Sequence, residues 1–557
     1  MEPLDNVNMP TDSHTHEVFN QSEALENGNL LDDDLALQNG LAAFAPQADM
    51  TALRDYGQRC GSAEVIALGF DANDYKPQFD SHDRFGHRID QVRFHPAYHQ
   101  LMDMALCQGI HAMPWDGSIP ANAHVQRAAY SYMQAQVEAG HGCPLTMTFA
   151  SVPTLKLTPS IAQQWLPKVL ARSYDPDNKP YFDKQAVTIG MGMTEKQGGS
   201  DVRANTSVAR PVGGGGPGEL YEITGHKWFL SAPMCDAFLM LARSAGGLSC
   251  FLVPRWRPDG EKNSLFVQRL KNKMGNVSNA SSEVEMRGAQ GWMVGEEGRG
   301  VPAIIEMVSL TRFDCMVGST AGQRQAVAQA AHHASQRCAF GRRLIEQPLM
   351  QNVLADLQLE VEGSLAMTMR MAAALDADTE DEKLLLRLGS AVGKFWICKR
   401  TPGHAYEAME CLGGNGVIEN CIMPRLYREA PINAIWEGSG NIQALDVLRA
   451  LHKSPQVKAR WFAELAKVAG QSAVLDQHIA ELEGALADLN EAEYGARHLV
   501  EQMALCFQSA MLLQYGDAVV AEAFIASRLA RPHGVYGCLP KGLDVGHIVR
   551  RILPGRL

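Results

Sequence analysis

The chain has 557 residues, a formal net charge of −12, and a composition 46% hydrophobic and 20% charged. That is ordinary globular composition, and at roughly 150 residues per domain the length suggests three or four domains. The acidic balance excludes a protein that is basic throughout, as a simple nucleic-acid binder would be, but allows a local basic patch.

The N-terminal stretch from Met1-Glu-Pro-Leu-Asp5 to His16 lacks the basic start and apolar core of a secretory signal. No uninterrupted apolar run is long enough to span a bilayer. Residues 1–40 are polar and acidic, with Asp32-Asp-Asp34, and read as an arm that is either packed on a neighbouring subunit or disordered. Residues 41–185 read as a helical domain. Phe94 to Gly109 and Ala128 to Ala139 carry apolar residues at three- and four-residue spacing.

The texture changes near Ala186. Short apolar runs separated by glycine-rich turns, at Tyr221–Thr224, Phe238–Ala242, Cys250–Val253 and Glu283–Glu285, predict strands, so 186–300 is expected to be a β domain. Gly213-Gly-Gly-Gly216 is a hairpin tip without the spacing of a phosphate loop. Residues 301–452 return to long alanine-rich helices, Val301 to Arg337, Pro348 to Leu375 and Lys383 to Cys411, of bundle length. Residues 453–557 form a further helical domain, broken near Ser454-Pro455. Helices, a β domain and then helices make an α+β protein, with no alternating βαβ pattern for a Rossmann domain.

The twelve cysteines, Cys60 to Cys538, include no C-x-x-C pair and sit singly in apolar stretches. They read as buried free thiols, which fits a reducing cytoplasm. No metal site is suggested. His332 and His333 are adjacent and point about 100° apart on a helix. Met367, Met369 and Met371 read as core filling.

Four segments together resemble the acyl-CoA dehydrogenase family, in its order and at roughly its spacing. They are Met191-Gly-Met-Thr-Glu-Lys-Gln-Gly-Gly-Ser-Asp201, Gly225-His-Lys-Trp-Phe-Leu-Ser231, Arg337-Cys-Ala-Phe-Gly341, and the stretch from Leu412-Gly-Gly-Asn-Gly416 to Trp436-Glu-Gly-Ser-Gly-Asn-Ile442. The likeness is closer to the branch of that family associated with the bacterial response to DNA alkylation, and with that branch it spans nearly the whole chain. It implies the family's scaffold: an N-terminal helical domain, a central β domain and a helical bundle, here with an extra C-terminal helical domain. It also implies FAD and a homotetramer built as a dimer of dimers.

The resemblance assigns roles by position. Met193, Thr194, Gly199 and Ser200 would wall the flavin edge. Ser231 falls where the family keeps a hydroxyl near flavin N5, and Phe229 where it usually has a tryptophan over the flavin face; Trp228 reads as strand core. Arg337 and Phe340 would reach the FAD diphosphate across a dimer interface, a guanidinium fork suiting two phosphate oxygens. Pro348, with Gln347 beside it, replaces a glutamine the family often keeps. Gly413 and Gly414 would approach the cofactor closely, and Glu410 replaces a frequent glutamine. Trp436, Ser439 and Asn441 would contact FAD.

Glu437 stands at the family's most common base position. There it would take the α-proton of an acyl-CoA while a hydride leaves the β-carbon, a task that needs a carboxylate in a dry site. Another branch carries its base on an earlier helix, but that position here is Thr311, leaving Glu437 as the candidate. From Arg528 to Leu557 the basic residues Arg528, Arg531, Lys541, Arg550, Arg551 and Arg556 face only Asp544. That excess suits phosphate binding; the plain alternative is a basic tail neutralising the acidic remainder. The resemblance favours duplex DNA, with Arg449, Arg528, Arg531, Arg550 and Arg551 as contacts. The rival function is a metabolic acyl-CoA dehydrogenase.

Overall fold

The computed structural model describes residues 16–556; the first part of the expected arm lies outside the described residues. From residue 16 onward the arm makes contacts with its own chain. Ser22 Oγ meets His333 Nδ1 at 2.8 Å, and the buried Asp34 carboxylate accepts from Arg324 Nε at 2.9 Å. Both partners lie on the long helix Gly300–Gln336.

Seven helices, from Leu35–Phe44 to Pro159–Val169, form the N-terminal layer. Their starts carry sequence-encoded caps: Asp34, Asp49 and Ser62 accept backbone N–H groups, and Pro96 opens the helix after His95. One feature departs from the all-helical expectation here. Gln78–His82 and Arg88–Arg93 pair as an antiparallel hairpin. Its turn is set by Gly86, at φ 88°, and by the Asp83 carboxylate, which accepts from Phe85 N and His87 N.

The expected strands fall within a seven-stranded sheet. Leu220–Ser231, Ala237–Ser244, Gly247–Pro254 and Ser281–Val294 are its long members, joined by Ile189–Gly192, Val208–Pro211 and Leu265–Leu270. The pairing path returns to Ala237–Ser244 through Val208–Pro211, so five strands form a closed circuit with few free edges.

The long helix joins two cores. Its residues Ala303, Ile304, Met307 and Leu310 belong to the apolar core of the sheet; from Phe313 onward it belongs to the bundle, with Pro348–Ala377 and Glu380–Cys411. Met367, Met369 and Met371 are buried in that second core, as expected. Thr311 and Arg312 sit at the handover between cores, where the Glu437 loop arrives.

A new helix starts at Pro455, directly after Ser454. The C-terminal helices pack on Pro348–Ala377, where a Cβ at Gly363 would meet the Phe524 ring at 2.7 Å. This docking corrects two expected DNA contacts. Arg528 is buried and ion-paired to Asp356 at 2.7 Å and Glu360 at 3.3 Å. Arg551 is buried against Glu362 at 2.7 Å. Neither guanidinium is free for a phosphate. Arg531, Lys541 and Arg550 do lie at the surface.

All twelve cysteines are free; six are buried, and Cys107, Cys338 and Cys538 are exposed, against the expectation for those three. Among the described residues no helix is long and apolar enough to cross a membrane, and no cluster of His, Cys, Asp or Glu is arranged to hold a metal.

Candidate active site

Glu437 adopts φ 56°, a left-handed conformation that a side chain with a Cβ rarely takes. Such backbone persists only where its surroundings hold it. Here the buried Lys394 ammonium donates to the Trp436 carbonyl at 2.6 Å and also to the Gly438 carbonyl. Arg312 Nε and Gln443 Nε2 donate to the Glu437 carbonyl at 3.1 and 3.0 Å. Three successive carbonyls are therefore tied down. Gly438, at φ 96°, completes the turn; a Cβ there would meet Gln443 Nε2 at 2.6 Å.

The Glu437 carboxyl is ion-paired to nothing among the described residues. Thr311 Oγ1 lies 2.9 Å from its Oε2 and 3.0 Å from the Val308 carbonyl, so one hydroxyl proton serves one acceptor at a time. Burial pushes the Glu437 carboxyl above its usual range; the Thr311 bond and the charges of Lys394 and Arg312 oppose that. Arg312 is itself neutralised by Asp446, at 2.9 Å. Thr311, excluded as a base, is instead a partner of the base candidate.

Cys143, at the start of the helix Gly142–Lys156, lies within range of the charges of both Glu437 and Lys273. Burial pushes its thiol up to about 11, opposed by the Lys273 charge and by Ser231, while the Glu437 charge reinforces the rise. Ser231 ends the strand Leu220–Ser231, and its Oγ lies 3.1 Å from Ser281 Oγ on the neighbouring strand. Two positions earlier Phe229 is 50% exposed. Trp228 is not strand core: it is half-exposed between two lysines, with Lys271 Nζ 3.6 Å from its ring centre.

The segment with Met193, Thr194, Gly199 and Ser200 is anchored to the same strand. Trp228 N donates to the Thr194 carbonyl at 2.9 Å, and Glu195 is buried against Lys227 at 3.0 Å. Lys227 and the backbone N–H of Thr206 hold Glu195 well below the usual carboxylate range despite its burial. Gly199 packs on Thr194, whose hydroxyl a Cβ would overlap, and Ser200 is exposed.

Arg337, Phe340, Gly413 and Gly414 form a separate group that the arm brings together. Asn20 pairs with both backbone groups of Cys338, at 2.7 and 2.9 Å, and its carbonyl accepts from Arg337. Gln21 accepts from Asn415 at 3.2 Å. Phe340 stands outward, 96% exposed at φ 54°, and added Cβ atoms at Gly413 and Gly414 would meet nothing. Glu410 is exposed beside this group. Ser439 and Asn441 are exposed at the start of the helix Gly440–Lys453, with Arg497 Nη1 3.5 Å from Asn441 Oδ1.

Sequence reasoning missed Lys394, Arg312, Cys143 and Lys273. Only Lys394 carries a local signal, a lysine within the apolar run Ala391-Val-Gly-Lys-Phe-Trp396.

Three family models match consecutive parts of the chain. They are the adaptive response protein AidB N-terminal domain over residues 20–176, the acyl-CoA dehydrogenase middle domain over 190–289 and the acyl-CoA dehydrogenase C-terminal domain over 298–452. The chain is 44% identical to the Escherichia coli putative acyl-CoA dehydrogenase AidB, over 94% of this chain and 96% of that protein. The crystal structure of Caenorhabditis elegans ACDH-11 in complex with C11-CoA is 24% identical, covers 97% of this chain and 93% of its own, and superposes with a TM-score of 0.84. An acyl-CoA dehydrogenase from Bacillus anthracis, complexed with FAD, shares the fold at 16% identity and a TM-score of 0.68, covering 90% of each chain. Three matched domains in the family's order, and near-full-length identity to one relative, place the chain in the acyl-CoA dehydrogenase family, in its AidB branch.

Proposed function

We propose that this chain is an FAD-dependent flavoprotein in which Glu437 acts as general base on an acyl-CoA thioester. The observation that carries the reading is the Glu437 carboxyl itself. It is fixed by a strained and heavily bonded backbone, desolvated, and free of any countercharge in direct contact. FAD is the family's cofactor, and the residues present suit it. Phe340 exposes an apolar ring, Phe229 is half-exposed with Lys271 Nζ 4.5 Å from its ring centre, and Gly198, Gly413 and Gly414 leave open space beside the backbone. Met193, Thr194, Gly199, Ser200, Phe229, Ser231, Trp436, Ser439 and Asn441 would hold the flavin side. Arg337 and Phe340, from a second subunit, with Gly413 and Gly414, would hold the diphosphate side, which implies at least a dimer and, by the family's habit, a tetramer.

FAD when bound supplies the acceptor for the hydride that leaves the β-carbon. Glu437 removes the α-proton onto a carboxylate oxygen. Its raised proton affinity helps it accept that proton, while Thr311 steadies the ionised form and can return its own bond to the Val308 carbonyl once Glu437 is neutral. A cavity of about 410 Å³ lined by Tyr98, His99, Tyr174, Ala232 and Cys235 reaches Ala232, the residue after Ser231. Acyl-CoA as ligand class accords with the complex of the C. elegans relative. The test is anaerobic addition of acyl-CoAs of graded length. Bleaching of the flavin with at least one of them supports the reading; none across the panel rejects it as a dehydrogenase.

A second reading is favoured by the AidB branch and by the surface positions of Arg531, Lys541 and Arg550. It is a cytoplasmic protein of the response to DNA alkylation that contacts duplex phosphates through the C-terminal domain and has at most weak dehydrogenase activity. Arg449, largely exposed beside Asp446, is a further candidate contact. Duplex affinity measured against salt tests it: phosphate contacts make affinity fall steeply with salt, and an intact protein that binds no duplex at low salt ends it.

A further inference from the structure

Lys273 has no role in the proposed proton abstraction, yet its position is unusual. It lies in the turn between the strands Leu265–Leu270 and Ser281–Val294, half-buried behind Ser231. Its ammonium donates to the Asn279 carbonyl at 2.8 Å and to Ser281 Oγ at 2.9 Å. Among the described residues it forms no ion pair, and the charges of Glu429 and Glu138 act on it only at longer range. A half-buried lysine without a contacting carboxylate calls for a reason other than stability.

Counting protons gives one. An ammonium has three donors and no acceptor, and each serine hydroxyl has one proton to give. Ser281 Oγ therefore accepts from Lys273 on one lone pair, and the ammonium polarises its O–H, which favours donation of its proton to its other side-chain partner among the described residues, Ser231 Oγ, 3.1 Å away. Ser231 then accepts, so its single proton points away from Ser281. The Cys143 sulfur, a weak acceptor, is within reach of Ser231, and on the proposed reading the flavin is the other acceptor.

We propose that Lys273 and Ser281 form a hydrogen-bond relay of fixed direction that makes Ser231 a donor towards the flavin, with Lys273 as its positioning residue. The proposal rests on the reading that Ser231 faces flavin N5. Without Lys273, Ser281 can accept from Ser231 as readily as donate to it, and the outward donor is lost in a large share of molecules. Lys273 touches neither substrate nor cofactor; it acts by fixing the sense of two hydroxyls. Chained hydrogen bonds polarise one another, so the ammonium also strengthens the terminal donor.

The holoenzyme is reconstituted with FAD isotopically labelled at N5, and the N5 resonance is read in the oxidised state, with no substrate present. A donated hydrogen bond shields N5. Ser231→Ala is expected to move the resonance towards that of an unbonded flavin nitrogen. Lys273→Met and Ser281→Ala are each expected to move it part of the way in the same direction, and Lys273→Arg to restore it. Cys143→Ala, which removes the competing acceptor, leaves the relay intact and is expected to hold the resonance at the wild-type position or shift it further from that of an unbonded nitrogen. If Ser231→Ala moves the resonance while Lys273→Met and Ser281→Ala do not, the relay is overturned and the flavin site stands. If the wild-type protein takes up no FAD, or Ser231→Ala moves nothing, the flavin reading fails and the relay falls with it. Should Lys273→Met not fold, Ser281→Ala decides alone, since it removes the middle hydroxyl and keeps the charge.

Discussion

Two regions of this molecule bury carboxylates, and they do so in opposite ways. Under the C-terminal helices, Asp356, Glu360 and Glu362 sit within the bundle, each met by arginines: Arg528, Arg400 and Arg551. Burial pushes Glu360 up, but the charges of Arg400 and Arg528 outweigh it and bring its carboxyl down to about 2. At the cleft, Glu437 is also desolvated, yet its cations are spent on backbone carbonyls and on Asp446, and its carboxyl rises. The paired acids fasten two domains together. The unpaired one is left able to take a proton. Burial alone does not set the charge state; what stands within 3 Å does.

The largest effect should come from the unpaired acid. Glu437→Gln keeps the shape and the loop bonds but removes the base. Thioester oxidation should fall by about 10²- to 10⁴-fold or more, while the flavin absorbance stays. Retained bleaching by an acyl-CoA would mean that the base lies elsewhere and that the contrast between the two regions has no functional side.

Next in size is the paired region. Arg528→Met should lower stability by about 3 kcal/mol, because it leaves Asp356 with no arginine and Glu360 with one. The urea midpoint reads it. The pH dependence has a definite sign. A glutamate whose folded value is depressed contributes in full above its unfolded value, about 4.3, and loses that contribution as pH falls from there towards about 2. The wild type should therefore lose stability through that window, and Arg528→Met should lose less of it. Equal losses would show that Glu360 is held by something other than these arginines.

Thr311→Val gives a smaller, purely electrostatic change. The Thr311 bond lowers the proton affinity of Glu437, so removing it raises that affinity further. The base must be ionised to act, so the acid limb of kcat/KM should move to higher pH. One hydrogen bond of about 1 kcal/mol corresponds to somewhat less than one pH unit. A limb that moves to lower pH, or not at all, would mean that the hydroxyl serves the Val308 carbonyl throughout.

How much of this was legible in the sequence depended on the range of each interaction. Strands at Tyr221–Thr224, Phe238–Ala242, Cys250–Val253 and Glu283–Glu285, the methionine core and the break at Pro455 arise from local pattern, and the structure has them. The Glu437 candidate came from the resemblance of its motif to the family, since a glycine-flanked glutamate by itself reads as an ordinary surface-loop residue. What was missed acts at a distance. Lys394 meets Trp436 and Gly438 more than forty residues along, and Arg312 meets Glu437 over a separation of 125. The hairpin at 78–93 was hidden because its strands are short, half-exposed and polar, and only Asp83 and Gly86 mark the turn.

The same limit shaped the basic tail, and it yields the smallest expected effect. A charge count over 528–557 cannot see that Arg528 and Arg551 find carboxylates 168 to 189 residues upstream. Those two belong to the paired region, whereas Arg531 and Arg550 face solvent. The double variant Arg531→Ala, Arg550→Ala should change stability by no more than about 0.5 kcal/mol. If the domain meets duplex DNA, it should also flatten the salt dependence of binding, by roughly 0.9 in the log–log slope for each phosphate no longer neutralised. Arg551→Ala should do the reverse, costing stability and leaving the slope of the surviving folded protein unchanged. A slope that depends on Arg551 and ignores Arg531 and Arg550 would mean that the ion pairs open on DNA, and the division between fastening and binding arginines would fall.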